Sequence, residues 1–185
     1  MEAAREELID RSGLLEVDSV ARRAGTSTGL IYRHFGNRAG LVGAVVNDFY
    51  SRYRSEALEI NPAPGGPFAK RERLRTVLSV NFHYNDPLAT VILSNRHLDG
   101  EVVLEETRHL EEMIELAAGV MRLGRKRGEL PKERDPELVA SMVIGGMRYV
   151  LAMALEEKLP AEDAAKQLWL FIAGVMGVDP HAADS

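Results

Sequence analysis

Apolar positions recur at three- and four-residue spacing through segments rich in Leu, Ala, Glu and Arg, and no run alternates as a strand would. The spacing predicts short helices over about 3–12, 16–24 and 28–35, then a longer one from about Arg38 to Glu59. Asn61-Pro62-Ala63-Pro64-Gly65-Gly66-Pro67 breaks the chain. Beyond it, Ala69–Tyr84 carries the stripe Leu74, Val77, Leu78 and Phe82, and Pro87 opens a short helix running to about Arg96. Glu101–Arg127 is the longest predicted helix. It opens on Glu101, Glu105 and Glu106 and closes on Arg122, Arg125, Lys126 and Arg127 before Gly128, the polarity its dipole favours. Asp135-Pro136 starts another helix to about Glu157, Leu159-Pro160 ends it, and Ala161–Met176 is the last. The expected fold class is all-α.

At 185 residues the chain has room for one substantial domain or two small ones packed together. With 45% apolar and 28% charged residues it can bury a core. The absence of cysteine excludes disulfides, thiolate zinc sites and a cysteine nucleophile. No uninterrupted apolar run approaches the roughly 20 residues of a membrane span. The start Met1-Glu2-Ala3-Ala4-Arg5-Glu6-Glu7 has no signal-peptide pattern, so a cytoplasmic protein without a membrane partner is expected. The net charge of −5 argues against a nucleic-acid partner until its distribution is considered. From Ser19 to position 45 the chain holds Arg22, Arg23, Arg33 and Arg38 and no acid, which permits phosphate contact at one end of an acidic molecule.

The segment that carries chemistry is Val20-Ala21-Arg22-Arg23-Ala24-Gly25-Thr26-Ser27-Thr28-Gly29-Leu30-Ile31-Tyr32-Arg33-His34-Phe35. Gly25 stands where a left-handed helix cap is expected, and Ser27 is placed to cap the helix that follows. Two short helices joined by a tight glycine turn make a helix-turn-helix, whose second helix can enter the major groove. Val20, Ala24, Leu30, Ile31 and Phe35 are expected to hold the two helices together, leaving Thr28, Gly29, Tyr32, Arg33 and His34 outward. Those groups suit DNA: hydroxyls and imidazole bond phosphate oxygens, glycine admits close approach, and Arg33 reaches phosphate or a guanine edge.

The run from Ala24 through Phe35 and on to Gly36-Asn37-Arg38-Ala39-Gly40-Leu41 resembles the signature of TetR-type transcriptional regulators. Gly124-Arg125-Lys126-Arg127-Gly128-Glu129-Leu130 followed by Asp135-Pro136 is similar to the join between that family's seventh and eighth helices. The resemblance implies a homodimer with an N-terminal three-helix DNA-binding domain over 1–45. It implies a larger C-terminal domain over 46–185 for ligand binding and dimerisation, with no cofactor. The expected partners are double-stranded operator DNA and a small-molecule effector. Ligand binding in the family usually releases DNA, so a repressor is expected. The DNA-contacting positions carried over are Thr26, Ser27, Thr28, Gly29, Tyr32, Arg33 and His34, with Arg38 where the family usually has a phosphate-gripping lysine. The chain departs from the family before Val20: the link from Gly13 is short, Glu16 and Asp18 place acids near helix two, and the basic N-terminal arm is missing. A ligand-binding or dimerisation module with a degenerate head is therefore the alternative, tested by salt-dependent binding to duplex DNA.

In the C-terminal part, Asn81, Phe82, Asn95, Thr107 and Met113 are candidate pocket residues, polar handles and soft apolar surface at helical spacing. Arg148 is the sole charge from Ala140 to Leu155 and needs an acceptor, either a ligand anion or an acid across an interface. Gly145-Gly146 costs that helix on the order of 1 kcal/mol per glycine, which close approach of another helix would offset. With Leu168, Trp169, Phe171, Ile172 and Val175 on the last helix, the pattern predicts dimerisation through the final two helices. Met113, Met121, Met142, Met147 and Met153 serve either as core or as an adaptable pocket wall. His83, His97 and His109 match no metal-ligand spacing, and no phosphate loop or nucleophile elbow occurs, so no enzyme is expected.

Overall fold

The computed structural model of the chain describes residues 1–94 and 100–184. Among them lie nine α-helices and no strand, so the fold is all-α. They are α1 (Glu2–Asp10), α2 (Val17–Arg23), α3 (Thr28–Phe35), α4 (Arg38–Tyr53), α5 (Phe68–Asn85), α6 (Leu88–Leu93), α7 (Gly100–Lys126), α8 (Pro136–Glu156) and α9 (Ala161–Met176). The predicted helix to Glu59 ends its α-helical part at Tyr53 and continues as a π-turn over Arg54–Leu58.

The described residues form two compact units. One comprises Met1–Arg52 with Asp86–His109, the other Tyr53–Asn85 with Leu110–Ser185. In the first unit Leu8, Val20, Ile31, Val42, Val45, Val46, Phe49, Leu88 and Ile92 are buried. α1 packs on α2 and α6, and α2 on α3. Asp86, two residues ahead of α6, is a buried hub of this unit. It accepts from Arg5 Nη2 at 2.6 Å, Arg52 Nη2 at 2.8 Å and the Leu88 amide at 2.9 Å. Burial alone would raise its pKa, but the Leu88 amide and the two guanidiniums outweigh that and hold it below the usual aspartate value.

In the second unit α5, α8 and α9 enclose a core that includes Phe68, Met121, Ala140, Val143, Trp169, Ile172 and Ala173. Asp135 caps α8 by accepting from the Leu138 amide at 2.9 Å, with Pro136 in the first turn. Gly146 lies where an added Cβ would come within 2.7 Å of the Phe171 ring, so α8 and α9 approach at that point. Gly145 has nothing of its own chain within that range. Leu168, Trp169 and Ile172 face the core of their own unit, whereas Leu170 and Phe171 are exposed.

Two expectations change. The predicted α5 stripe holds only in part: Phe82 is buried and Leu78 half-buried, but Leu74 and Val77 are exposed, and the buried positions also include Glu72, Thr76, Ser79 and His83. By length and composition α8 also reaches across a bilayer, which counting uninterrupted apolar runs did not register because Arg148 interrupts it. One face of α8 is nonetheless packed against α9 within the unit, with Val139, Val143, Ile144, Met147 and Leu151 buried.

Candidate nucleic-acid interface and ligand cavity

The turn between α2 and α3 is built as the residue types require. Gly25 takes φ +64°, its amide donates to Arg22 O and the Thr26 amide to Ala21 O, which satisfies the last carbonyls of α2. The Ser27 hydroxyl accepts from the Leu30 amide at 3.3 Å and caps α3, and Gly36 ends that helix at φ +76°. Asn37 Oδ1 then accepts from the Gly40 amide at 2.7 Å at the start of α4.

α3 presents Gly29, Tyr32, Arg33 and His34 to solvent, with Ser27 exposed ahead of it and Thr26 and Thr28 half-buried. Val20 and Ile31 are buried between the helices. Ala24 and Leu30, expected inside, are exposed: Ala24 is the C-cap of α2, and on α3 Ile31 is the buried position. Leu30, expected in the core, therefore stands on the outer surface of α3.

The arginines differ in what occupies them. Arg23 is bound to α1, donating to Asp10 at 2.8 Å, Glu6 at 3.1 Å and Glu7 at 3.4 Å. Glu7 is buried and also accepts from Ser19 Oγ at 2.9 Å and Arg11 at 3.4 Å. Arg11 further pairs with Glu16 at 2.8 Å, which offsets one of the acids near α2. Arg38 Nε donates to Leu15 O at 2.9 Å and so ties α4 to the link between α1 and α2. Arg22 and Arg33 are exposed, and neither takes part in an ion pair with a described residue.

The second unit holds a cavity of about 490 Å³, within the range that accommodates small molecules. α7, α8 and α9 supply mostly apolar wall, including Leu116, Met121, Ile144, Met147, Ile172 and Met176. α5 supplies Arg71, Glu72, Arg75, Thr76 and Ser79, the polar face that the apolar pattern concealed. Arg75 Nε donates to Glu72 Oε2 at 3.1 Å, while its Nη1 donates to the carbonyls of Leu58 and, at 2.8 Å, Ile60. Arg71 is turned to Glu129 at 3.2 Å and to the Gly66 carbonyl. Thr76 donates to Glu72 O at 2.8 Å. Burial pushes the Glu72 carboxyl up, opposed by Arg75 and then Arg71. Deep in the unit, Tyr53 lies edge-on to His83 at 4.7 Å between ring centroids and 5.2 Å from Phe82. Burial pushes its phenol up to about 12, against the pull of Ser79 and Arg75.

Of the candidate pocket residues, Met113 lines the cavity. Phe82 is buried in the Tyr53–His83 ring cluster. Asn81 is exposed, and Thr107 is exposed in the other unit with its hydroxyl donating to Val103 O. Arg148 is half-buried on α8, and Asn95 and His97 lie outside the described residues. Met121 and Met147 join the cavity wall, whereas Met142 and Met153 are exposed. Glu72 was missed because a buried acid at helical spacing reads as part of a solvated face.

One unit carries a capped helix-turn-helix and the other a ligand-sized cavity. Residues 1–45 match the family model described as bacterial regulatory proteins, tetR family. Among solved structures the chain is similar to Salmonella enterica GusR, at 18% identity and TM-score 0.76 over 95% of this chain and 92% of that one. It is similar to a TetR-like transcriptional regulator from a Rhodococcus species, at 21% identity and TM-score 0.72 over 95% and 93%. The regulator FadR from Bacillus subtilis, solved in complex with stearoyl-CoA, matches at 19% identity and TM-score 0.73 over 96% and 97%. No curated protein matches the sequence. Residues 1–45 thus match the tetR-family model, and nearly the whole chain shares the fold of solved TetR-type regulators.

Proposed function

We propose that the protein is a one-component transcriptional repressor that binds operator DNA as a homodimer and is released by a small, largely apolar ligand. The observation that carries the reading is the exposed α3 face of Gly29, Tyr32, Arg33 and His34 behind a fully capped turn. The proposed contacts are Thr26, Ser27, Thr28, Gly29, Tyr32, Arg33, His34 and Arg38, divided between residues 1–45 as head and 46–185 as effector and dimer region. The cavity supports ligand control, with Met113 as a contact, and FadR with stearoyl-CoA supports an apolar effector by analogy of fold. For the dimer, α8 exposes Leu138, Met142, Tyr149 and Met153, a stripe at helical spacing that includes Gly145. Two such heads would read successive major grooves about 34 Å apart. Ligand binding would shift the population of dimers toward a DNA-incompetent state. The location is cytoplasmic and no catalysis is assigned.

A second reading, a head that no longer holds DNA, draws on Arg23 being engaged by Glu6, Glu7 and Asp10. One experiment separates the two. The purified protein is incubated with a genomic fragment library at moderate salt, and the retained fragments are sequenced. Enrichment of a palindromic site supports the regulator. Diffuse retention that disappears with modest salt supports the degenerate head.

A further inference from the structure

Among the exposed side chains of α3, Leu30 is the one aliphatic group. Ile31 is buried and fixes the inward direction of the helix. At about 100° per residue, Gly29 and Arg33 lie nearly opposite it, with Leu30 and Tyr32 on the two flanks. Leu30 is 42% exposed. Its amide donates to the capping Ser27 hydroxyl at 3.3 Å, so it sits in the first turn, the part of a reading helix that meets base edges. Gly29, directly before it, adds a second observation. A Cβ at that position would meet only Ser27 Oγ, at 3.9 Å, so the packing of the chain itself does not demand a glycine there. Glycine weakens a helix relative to alanine, and its use here leaves room for a surface outside the chain to come close to the first turn.

The Leu30 side chain has neither donor nor acceptor. Phosphate oxygens and the polar edges of adenine, guanine and cytosine offer it nothing, and a leucine laid over them leaves their hydrogen-bonding groups unpaired. The thymine C5-methyl is the apolar feature of the major-groove edge that a hydrocarbon side chain can cover. We infer that Leu30 packs on the C5-methyl group of one thymine in each operator half-site and so selects that base, an inference that rests on the DNA-binding reading above.

The test takes the duplex enriched from the genomic fragments and resynthesises it with deoxyuridine in place of each thymidine in turn. Each replacement removes one methyl group and keeps the base pairing. The full-length protein is titrated with every duplex at one fixed salt concentration. At one thymine of a half-site the replacement is expected to weaken binding roughly fourfold, the worth of one buried methyl group, and about fifteenfold when both half-sites carry it. Leu30→Ala should bind the thymine and uracil duplexes equally. The wild-type comparison of thymine with uracil needs no variant to fold. Wild-type binding indifferent to every uracil overturns the Leu30 assignment and leaves the regulator reading standing. A uracil effect that persists undiminished in Leu30→Ala also overturns it, because another side chain then reads the methyl. Failure to enrich any site overturns both the assignment and the regulator reading.

Discussion

Arg5 Nη2 donates to Asp86 Oδ1 at 2.6 Å across 81 positions of sequence, fastening α1 to the start of α6. Arg52 at the end of α4 donates to the other oxygen of the same carboxylate at 2.8 Å. Removing Asp86 leaves two guanidiniums and the Leu88 amide without their shared acceptor. Asp86→Ala is expected to destabilise the protein by about 2–3 kcal/mol, read as a shift in urea midpoint at neutral pH. The acid limb gives a second reading. The folded-state pKa of Asp86 is depressed, so its contribution is present above the unfolded value near 3.9 and is lost as pH falls through the folded value. Asp86→Asn should therefore flatten the stability profile below about pH 4. An unchanged acid limb would remove Asp86 from this role.

Gly146 lies within a methyl group's reach of Phe171. Alanine improves helix propensity by about 1 kcal/mol, but its Cβ would come within 2.7 Å of the ring. Overpacking typically costs about 1–3 kcal/mol, so Gly146→Ala should be destabilising or at best neutral. In Phe171→Ala the same substitution should become stabilising, because the ring is gone. A double-mutant cycle by chemical denaturation reads this directly as non-additivity. Additive effects would mean that the ring swings aside at no cost.

Much of the head was legible from residue types alone. Gly25 and Ser27 each have a local task in a turn or cap, and local tasks leave local signatures. The cavity was less legible. α5 turns Glu72, Thr76 and Ser79 inward as well as Phe82 and leaves Leu74 and Val77 exposed, so the apolar stripe marked only part of the inward face. A polar face that lines a cavity has the same sequence pattern as one that faces water. Asp86 was hidden for another reason: its partners Arg5 and Arg52 are remote in sequence, and only the folded unit brings them together.

Tyr53 is fully buried, and burial raises its phenol to about 12. A group whose folded pKa lies above its unfolded value contributes stability that is fully present below the unfolded value, near 10, and lost as pH rises through the folded one. The second unit should thus weaken between about pH 10 and pH 12. Absorbance at the phenolate band should show ionisation lagging at Tyr53 and, to a lesser extent, at Tyr84, whose phenol burial also raises. Tyr53→Phe should remove the later part of that lag and leave the unit folded to higher pH. A single titration step for all tyrosines near 10 would contradict the burial argument.

Arg33 and Arg23 make opposite predictions although both are arginines of the head. Arg33 is exposed and forms no ion pair among the described residues, so its guanidinium is available to DNA. Arg33→Ala should leave the unfolding free energy within about 0.5 kcal/mol of wild type. It should weaken operator binding and reduce the slope of log K against log salt by about 0.9 if one phosphate contact is lost. If Arg33 instead reads a guanine edge, the loss should be confined to the specific site and be worth about 1–3 kcal/mol. Arg23 is held by Asp10, Glu6 and the buried Glu7, so Arg23→Ala should lower the stability of the head before it alters any DNA contact. Its salt slope should stay near that of wild type for the fraction still folded. Titrations at several salt concentrations, paired with denaturation curves for both variants, separate the roles. If Arg23→Ala removed a salt-slope unit at full stability, Arg23 would move from the structural set to the interface. If Arg33→Ala left both affinity and slope untouched, α3 would lose its claim to the groove.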